Sequence, residues 1–152
     1  CSLGAMYQDG AGVAANPAEA ARWFRKAVEA GDPVAACRLG GLYQHGIGVT
    51  ADAAEAARWY RRAGEAGDGN GWHDLGSMLQ HGAGVAADPA EAARCFRRAA
   101  DAGNPDGMNS LGVMLQTGAG VEADPAEAAR WYRMAADRGN IYGMHNLAEL
   151  YA

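Results

Sequence analysis

The sequence predicts an all-α fold built from a repeated helix–loop–helix unit, and three observations carry that prediction. The phrase LGGLYQHGIGV at Leu39 returns as LGAMYQDGAGV at Leu3, LGSMLQHGAGV at Leu75 and LGVMLQTGAGV at Leu111, with a shortened LAELYA at Leu147; successive leucines lie 36 residues apart. Within each copy the apolar residues recur at helical spacing, not at the alternation of a strand. Proline, glycine and Asp or Asn punctuate the same places in every copy, where helices start and stop.

Residues 32–67 serve as the unit. Asp32-Pro33 opens a first helix with a capping side chain and a proline at the first helical position, where its missing N–H costs nothing. Asn104-Pro105 repeats that signal. The helix runs to Gln44-His45 and stops at Gly46, a residue suited to a left-handed end. Ala35, Leu39, Leu42 and Tyr43 form its apolar stripe. A short loop, GIGVTAD, follows, with Val49 as its apolar anchor.

The second helix starts at Asp52 and ends at Gly67. Its counterparts Asn16-Pro17-Ala18-Glu19, Asp88-Pro89-Ala90-Glu91 and Asp124-Pro125-Ala126-Glu127 place a cap, a proline and a glutamate three positions on. That glutamate is expected to reach back to the N–H of the cap, closing a capping box. Ala56, Trp59, Tyr60 and Ala63 make the buried stripe, while Glu55, Arg58, Arg61, Arg62 and Glu65 form a solvated face. Small residues recur in two columns, Gly4, Gly40, Gly76 and Gly112, and Ala35, Gly71, Gly107 and Gly143. Helical glycine is unfavourable by about 0.5–1 kcal/mol relative to alanine, so its recurrence predicts close helix–helix approach at these positions.

The chain has 152 residues and a net charge of −5, with acidic and basic residues interspersed. No basic stripe marks a nucleic-acid surface. No apolar run approaches the roughly 18 residues of a membrane span. The chain starts with Cys1, two residues before a repeat leucine, and is expected to be a piece of a longer protein. Cys1 and Cys37 share a repeat position, so helix packing separates them by about 8–10 Å, beyond the roughly 7 Å that a disulfide spans. Cys95 stands where the other repeats have Trp23, Trp59 and Trp131, and reads as a small buried hydrophobe. Free thiols are expected, with a lean towards a reducing compartment.

The combination LGxxYxxGxGV, AEAxRWYRRA and AG on a period of 36 resembles the Sel1-like repeat family, relatives of tetratricopeptide repeats with a longer glycine-containing loop. The resemblance covers the whole chain: four second helices and five first helices, counting the partial copies. Cys95 in place of tryptophan, Ala148 in place of the second glycine of the phrase and Gly64 inside a helix depart from the pattern. The resemblance implies a right-handed α/α superhelix, a solenoid, spanning residues 1–152 as one domain. It also implies a scaffold or adaptor role in assembling protein complexes.

Catalytic signatures are absent: no GxSxG, HExxH, CxxC or GxxxxGK[ST] occurs. GAGV and GIGV follow a helix and lack a third glycine, so a dinucleotide reading is poor. His73 and His145 lie two repeats apart, about 20 Å at helix spacing, and cannot share a metal; His45 and His81, about 8–10 Å apart, fit one loosely. No catalytic residue, cofactor or metal is expected. One secreted, cysteine-rich branch of the resembled family is associated with β-lactam binding or hydrolysis. Its paired cysteines in each repeat are not found here, which leaves that enzyme reading behind the others.

The candidate site is instead a surface. Opposite the buried stripe of the first helices lie Cys1, Ala5 and Gln8; Cys37, Gly41 and Gln44; His73, Ser77 and Gln80; Asn109, Val113 and Gln116; and His145 and Glu149. In solenoids of this type the first helices line the concave surface, so this stripe is the candidate binding face. The glutamines recur in every complete copy and have two readings, helix or loop caps and a ladder of amides for an extended peptide. The column Cys37, His73, Asn109 and His145 varies, as partner selection requires. The expected partner is a protein or peptide, with neither nucleic acid nor membrane insertion. A further alternative is self-association: Ile141, Met144, Leu147, Leu150 and Tyr151 leave the last helix apolar with no following helix to cover it.

Overall fold

The computed structural model describes residues 2–152, so the expected spacing of Cys1 from Cys37 lies outside the described residues. Among them are α1 (Ser2–Asp9), α2 (Pro17–Glu29), α3 (Pro33–His45), α4 (Ala53–Glu65), α5 (Gly69–His81), α6 (Pro89–Asp101), α7 (Pro105–Thr117), α8 (Pro125–Asp137) and α9 (Ile141–Leu150), and no strand. The fold class is the expected all-α repeat architecture. The helices fall into two compact units, residues 1–71 and 72–152, with the boundary inside α5.

The helix ends follow from a few side chains. Asp32 Oδ1 accepts the N–H groups of Val34 and Ala35, and Asn104 Oδ1 accepts that of Gly107. These satisfy donors that a helix start leaves without partners. The same capping residues also finish the preceding helix: the N–H of Asp32 bonds to the carbonyl of Ala27 and that of Asn104 to Ala99. Between them sit Gly31 and Gly103 at φ 89° and 85°, the left-handed glycine of a Schellman turn. A single Asp or Asn therefore terminates one helix and starts the next, which explains why the turn is so short.

The second-helix caps behave differently from the expectation. Asn16, Asp52, Asp88 and Asp124 each accept the N–H of the glutamate three residues on, at 2.9–3.2 Å. The reciprocal half of the capping box does not form. The cap N–H groups bond back to the preceding helix, Asp52 to the carbonyl of Tyr43 and Asp124 to that of Leu115, at 2.9 Å each. With that donor taken, the glutamates turn outward: Glu19, Glu55 and Glu91 pair with Arg22, Arg58 and Arg94 at 2.6 Å.

The two glycines of each loop have separate roles. Gly46 and Gly118, at φ 66° and 71°, end α3 and α7 in the left-handed conformation. Gly48 and Gly120 lie against the backbone of Pro17 and Pro89, the first residues of the preceding second helices, so close that a Cβ has no room. The loop glycine thus joins one repeat to its predecessor within each unit.

Both helical glycine columns are close-approach points. A methyl group on Gly40 would lie 2.6 Å from the Tyr60 ring, and one on Gly112 would lie 2.6 Å from the Tyr132 ring. Gly107 and Gly143 meet the Cβ atoms of Ala99 and Ala135 of the preceding second helix at 2.5 and 2.7 Å in the same sense. One column seats the helix inside the hairpin, and the other seats the next repeat. The core of the first unit gathers Ala20, Phe24, Ala35, Leu39, Leu42 and Ala63. That of the second unit gathers Phe96, Met108, Leu111, Met114, Tyr132 and Ala135.

Cys95 is fully buried, as its reading as a small hydrophobe requires. The tryptophans differ from theirs: Trp23, Trp59 and Trp131 are only half-buried. The indole is too large to be enclosed at the edge of a hairpin, and cations cover the exposed face instead, Lys26 over Trp23 at 4.3 Å and Arg62 over Trp59 at 5.4 Å.

Candidate functional site

The first helices of both units carry the candidate stripe. In the first unit Cys37 is half-buried and packs against the core cluster. Gln44 is half-buried too, and its Oε1 accepts the Tyr60 hydroxyl at 2.7 Å. In the second unit Gln116 Oε1 accepts the Tyr132 hydroxyl at the same 2.7 Å. Burial, with a smaller contribution from the nearby charge of Glu149, pushes the Tyr132 hydroxyl up to about 12, which keeps it a donor.

These two glutamines therefore fasten the hairpin, through a side chain 16 residues away and not through backbone capping. The column that supplies the hydroxyl alternates Phe24, Tyr60, Phe96 and Tyr132. Where it is phenylalanine the amide has no such donor, and Gln8 Oε1 is buried without a hydrogen bond. Gln80, opposite Phe96 in the same register, is half-buried.

The varied column is more open towards the C-terminal end. His73 is half-buried, its ring 5.7 Å from that of Phe96 and its Nδ1 3.2 Å from Asp74 Oδ1. Ser77 is half-buried, and its carbonyl lies 2.9 Å from His81 Nδ1. On α7, Asn109 Oδ1 accepts Asn146 Nδ2 from α9 at 2.9 Å, and Val113 packs against the core cluster. His145 and Glu149 on α9 are exposed and pair at 3.3 Å. The stripe is thus mostly half-buried, where sequence periodicity placed it fully opposite the core. In the second unit α7 and α9 lie side by side, joined by the Asn109–Asn146 bond. Among the described residues no group of three or more His, Cys, Asp or Glu side chains could hold a metal ion.

Polar links between repeats add side chains that periodicity did not single out. Asn140 caps α9 through Gly143 N–H and donates its Nδ2 to Asp106 Oδ1 at 2.6 Å. Glu127 accepts both the Trp131 indole N–H at 3.1 Å and Arg97 at 2.9 Å. Arg25 and Arg133 donate instead to the hydroxyls of Tyr43 and Tyr151 at 2.7 and 2.8 Å. The signal lay in the column Tyr43, Leu79, Leu115 and Tyr151: Arg97 turns to Glu127 where the next first helix has Leu115 in place of tyrosine. A cleft beside this pair, lined by Leu115, Val121, Asp124 and the bonded Arg97 and Glu127, includes no residue of the stripe.

The family profile described as Sel1 repeat matches residues 1–32, 33–68, 73–104 and 105–140. The chain belongs to the Sel1 repeat family. Among solved structures, a Sel1 repeat protein from Oxalobacter formigenes is 36% identical with a TM-score of 0.89, covering 99% of this chain and 62% of its own. A protective antigen present in uropathogenic Escherichia coli strains, with the same repeat fold, is 34% identical with a TM-score of 0.89, covering 99% of this chain and 32% of its own. The chain therefore spans less than two thirds of the length of either. Helicobacter pylori cysteine rich protein B shares the fold at 23% identity and a TM-score of 0.67, over 84% of this chain and 96% of its own. No functionally curated protein matches the sequence. The Sel1 fold is generally a non-catalytic scaffold that commonly mediates protein–protein interaction.

Proposed function

We propose that this Sel1 chain is a non-catalytic adaptor whose second unit holds a protein segment along the first-helix face of α5, α7 and α9. The observation that carries the reading is the chemistry of that face. The repeat position of Cys37, His73, Asn109 and His145 holds three residue types in four copies, whereas the side chains that build the hairpins largely repeat. Fold maintenance selects recurrence, and partner choice selects variation at accessible positions. Ser77, Gln80, Val113, Gln116 and Glu149 border His73, Asn109 and His145 with donors, acceptors and one apolar contact. Cys37 and Gln44 hold the corresponding places in the first unit.

The net charge of −5 makes a polyanion an unsuitable partner. Among the described residues no helix is long and apolar enough to cross a membrane. The test is an unbiased peptide array probed with the full chain and with the triple variant His73→Ala, Asn109→Ala, His145→Ala. Circular dichroism and thermal melting accompany it, because Asn109 also bonds Asn146. Hits lost by a variant that stays folded support the reading. Hits that survive the triple substitution remove it.

A further inference from the structure

Between the end of α2, the start of α3 and the end of α4, the first unit holds a cavity of about 150 Å³. It includes no residue of the candidate stripe, and the three helices around it have further helices before and after them in the chain. Val28, Pro33, Ala36 and Ala66 form its apolar walls, with Asp32 and Arg62 beside them. An apolar space of that size accepts one aromatic ring.

One residue accounts for the space. The position of Ala36 is taken by Trp72, Met108 and Met144 in the following repeats, so the first unit lacks the large side chain that the others have there. In the second unit Trp72 is buried, at 6% exposure, and the Arg98 guanidinium lies over its ring at 4.7 Å. Arg98 is the counterpart of Arg62, 36 residues on. The first unit thus keeps the cation and the apolar walls and leaves out the indole. Trp59, whose counterpart is Cys95, does not close the gap: Arg62 covers its ring at 5.4 Å, but Trp59 does not border the cavity.

We propose that this cavity anchors one aromatic side chain, of tryptophan size, from a segment of a partner protein, with its ring beside Arg62 as Trp72 lies beside Arg98. The source of the ring follows from magnitude. Burying a single ring, less the cost of association, gives a dissociation constant of only about a millimolar. A firmly held ring therefore arrives on a chain that makes further contacts. This site lies in the first unit and does not rest on the adaptor face of the second.

The first test is titration of indole onto the isotope-labelled full chain, followed by NMR. Shifts at Val28, Ala36 and Ala66 are expected, with a dissociation constant of about a millimolar. Ala36→Trp fills the space from within and is expected to weaken indole about tenfold or more. Ala66→Leu, at an exposed wall, is expected to do the same without entering the core. Arg62→Gln is expected to weaken it about two- to fivefold. A peptide array probed with the natural chain and both blocked variants then tests the source. Peptides that lose binding to both variants, and that weaken about tenfold or more when their aromatic residue becomes alanine, support the proposal. The same peptides are expected to bind the His73, Asn109 and His145 triple variant unchanged, so failure at one face leaves the other standing. No shift at Val28, Ala36 or Ala66 at about 10 mM indole overturns the proposal, as does equal binding by the blocked variants. Indole binding without any aromatic-dependent peptide overturns it in favour of a free aryl molecule. Self-association lost in both blocked variants overturns it in favour of a second copy, whose Tyr142 and Tyr151 are exposed.

Discussion

Gly112→Ala is the substitution whose sign discriminates best between local and packing control. In an exposed helix interior the change is stabilising by about 0.5–1 kcal/mol, because alanine restricts the unfolded chain. Here the new methyl would lie 2.6 Å from the Tyr132 ring, tighter than real Cβ contacts allow. Tyr132 is fully buried, and its hydroxyl is held by Gln116, so the ring has nowhere to retreat. Overpacking of a filled core is unfavourable by about 1–3 kcal/mol, which outweighs the helical gain and leaves a net loss of about 1 kcal/mol. For a chain of this length that is a fall in Tm of about 2–4 °C. Thermal melting by circular dichroism reads it directly. The control is the same substitution in a Tyr132→Leu background, where the ring is gone and Gly112→Ala is expected to raise Tm. A rise in the natural background would refute the close-approach reasoning for the whole column.

Other expectations follow from single contacts. Phe24→Tyr places a hydroxyl where Tyr60 and Tyr132 have theirs, and supplies the donor that buried Gln8 Oε1 lacks. A gain of about 1 kcal/mol in denaturant unfolding is expected, and an unchanged midpoint contradicts the register. Asp124→Ala removes the acceptor of the Glu127 N–H and is expected to lower stability by about 1 kcal/mol, with Asp124→Asn retaining most of it. The Glu127 carboxyl is held below its usual range, first by the Trp131 indole N–H and then by Arg97. A depressed folded-state value means that its contribution is complete above about pH 4.5 and disappears as pH falls through the lower value. The Tm difference between natural chain and Glu127→Gln should therefore be full above about pH 4.5 and close on acidification below it, and a constant difference would argue against the link.

How much of this was legible in the sequence depended on the range of the interaction. Helix starts at Pro33 and Pro105 and the stop at Gly46 were readable because a cap and a left-handed glycine act within one turn. Close approach at Gly40 and Gly112 was readable as recurrence, although the rings responsible are on another helix. The capping box was misread, because the rule considers only the local pair. In the fold a carbonyl from the preceding helix, that of Tyr43 or Leu115, takes the N–H first. Glutamine roles were hidden for a related reason, since the Gln44 partner is Tyr60 and the decisive variable is a hydroxyl present in alternate repeats. Asn140–Asp106 and Arg97–Glu127 join residues on different repeats and leave no mark on the periodicity of either helix.

The adaptor reading is tested most directly by amide and side-chain NMR shifts of the labelled full chain on addition of a peptide selected from the array. Shifts concentrated at His73, Ser77, Asn109, Val113, His145 and Glu149 are the predicted result. Shifts confined to the second helices or to the glycine loops, with those six unmoved, would contradict it.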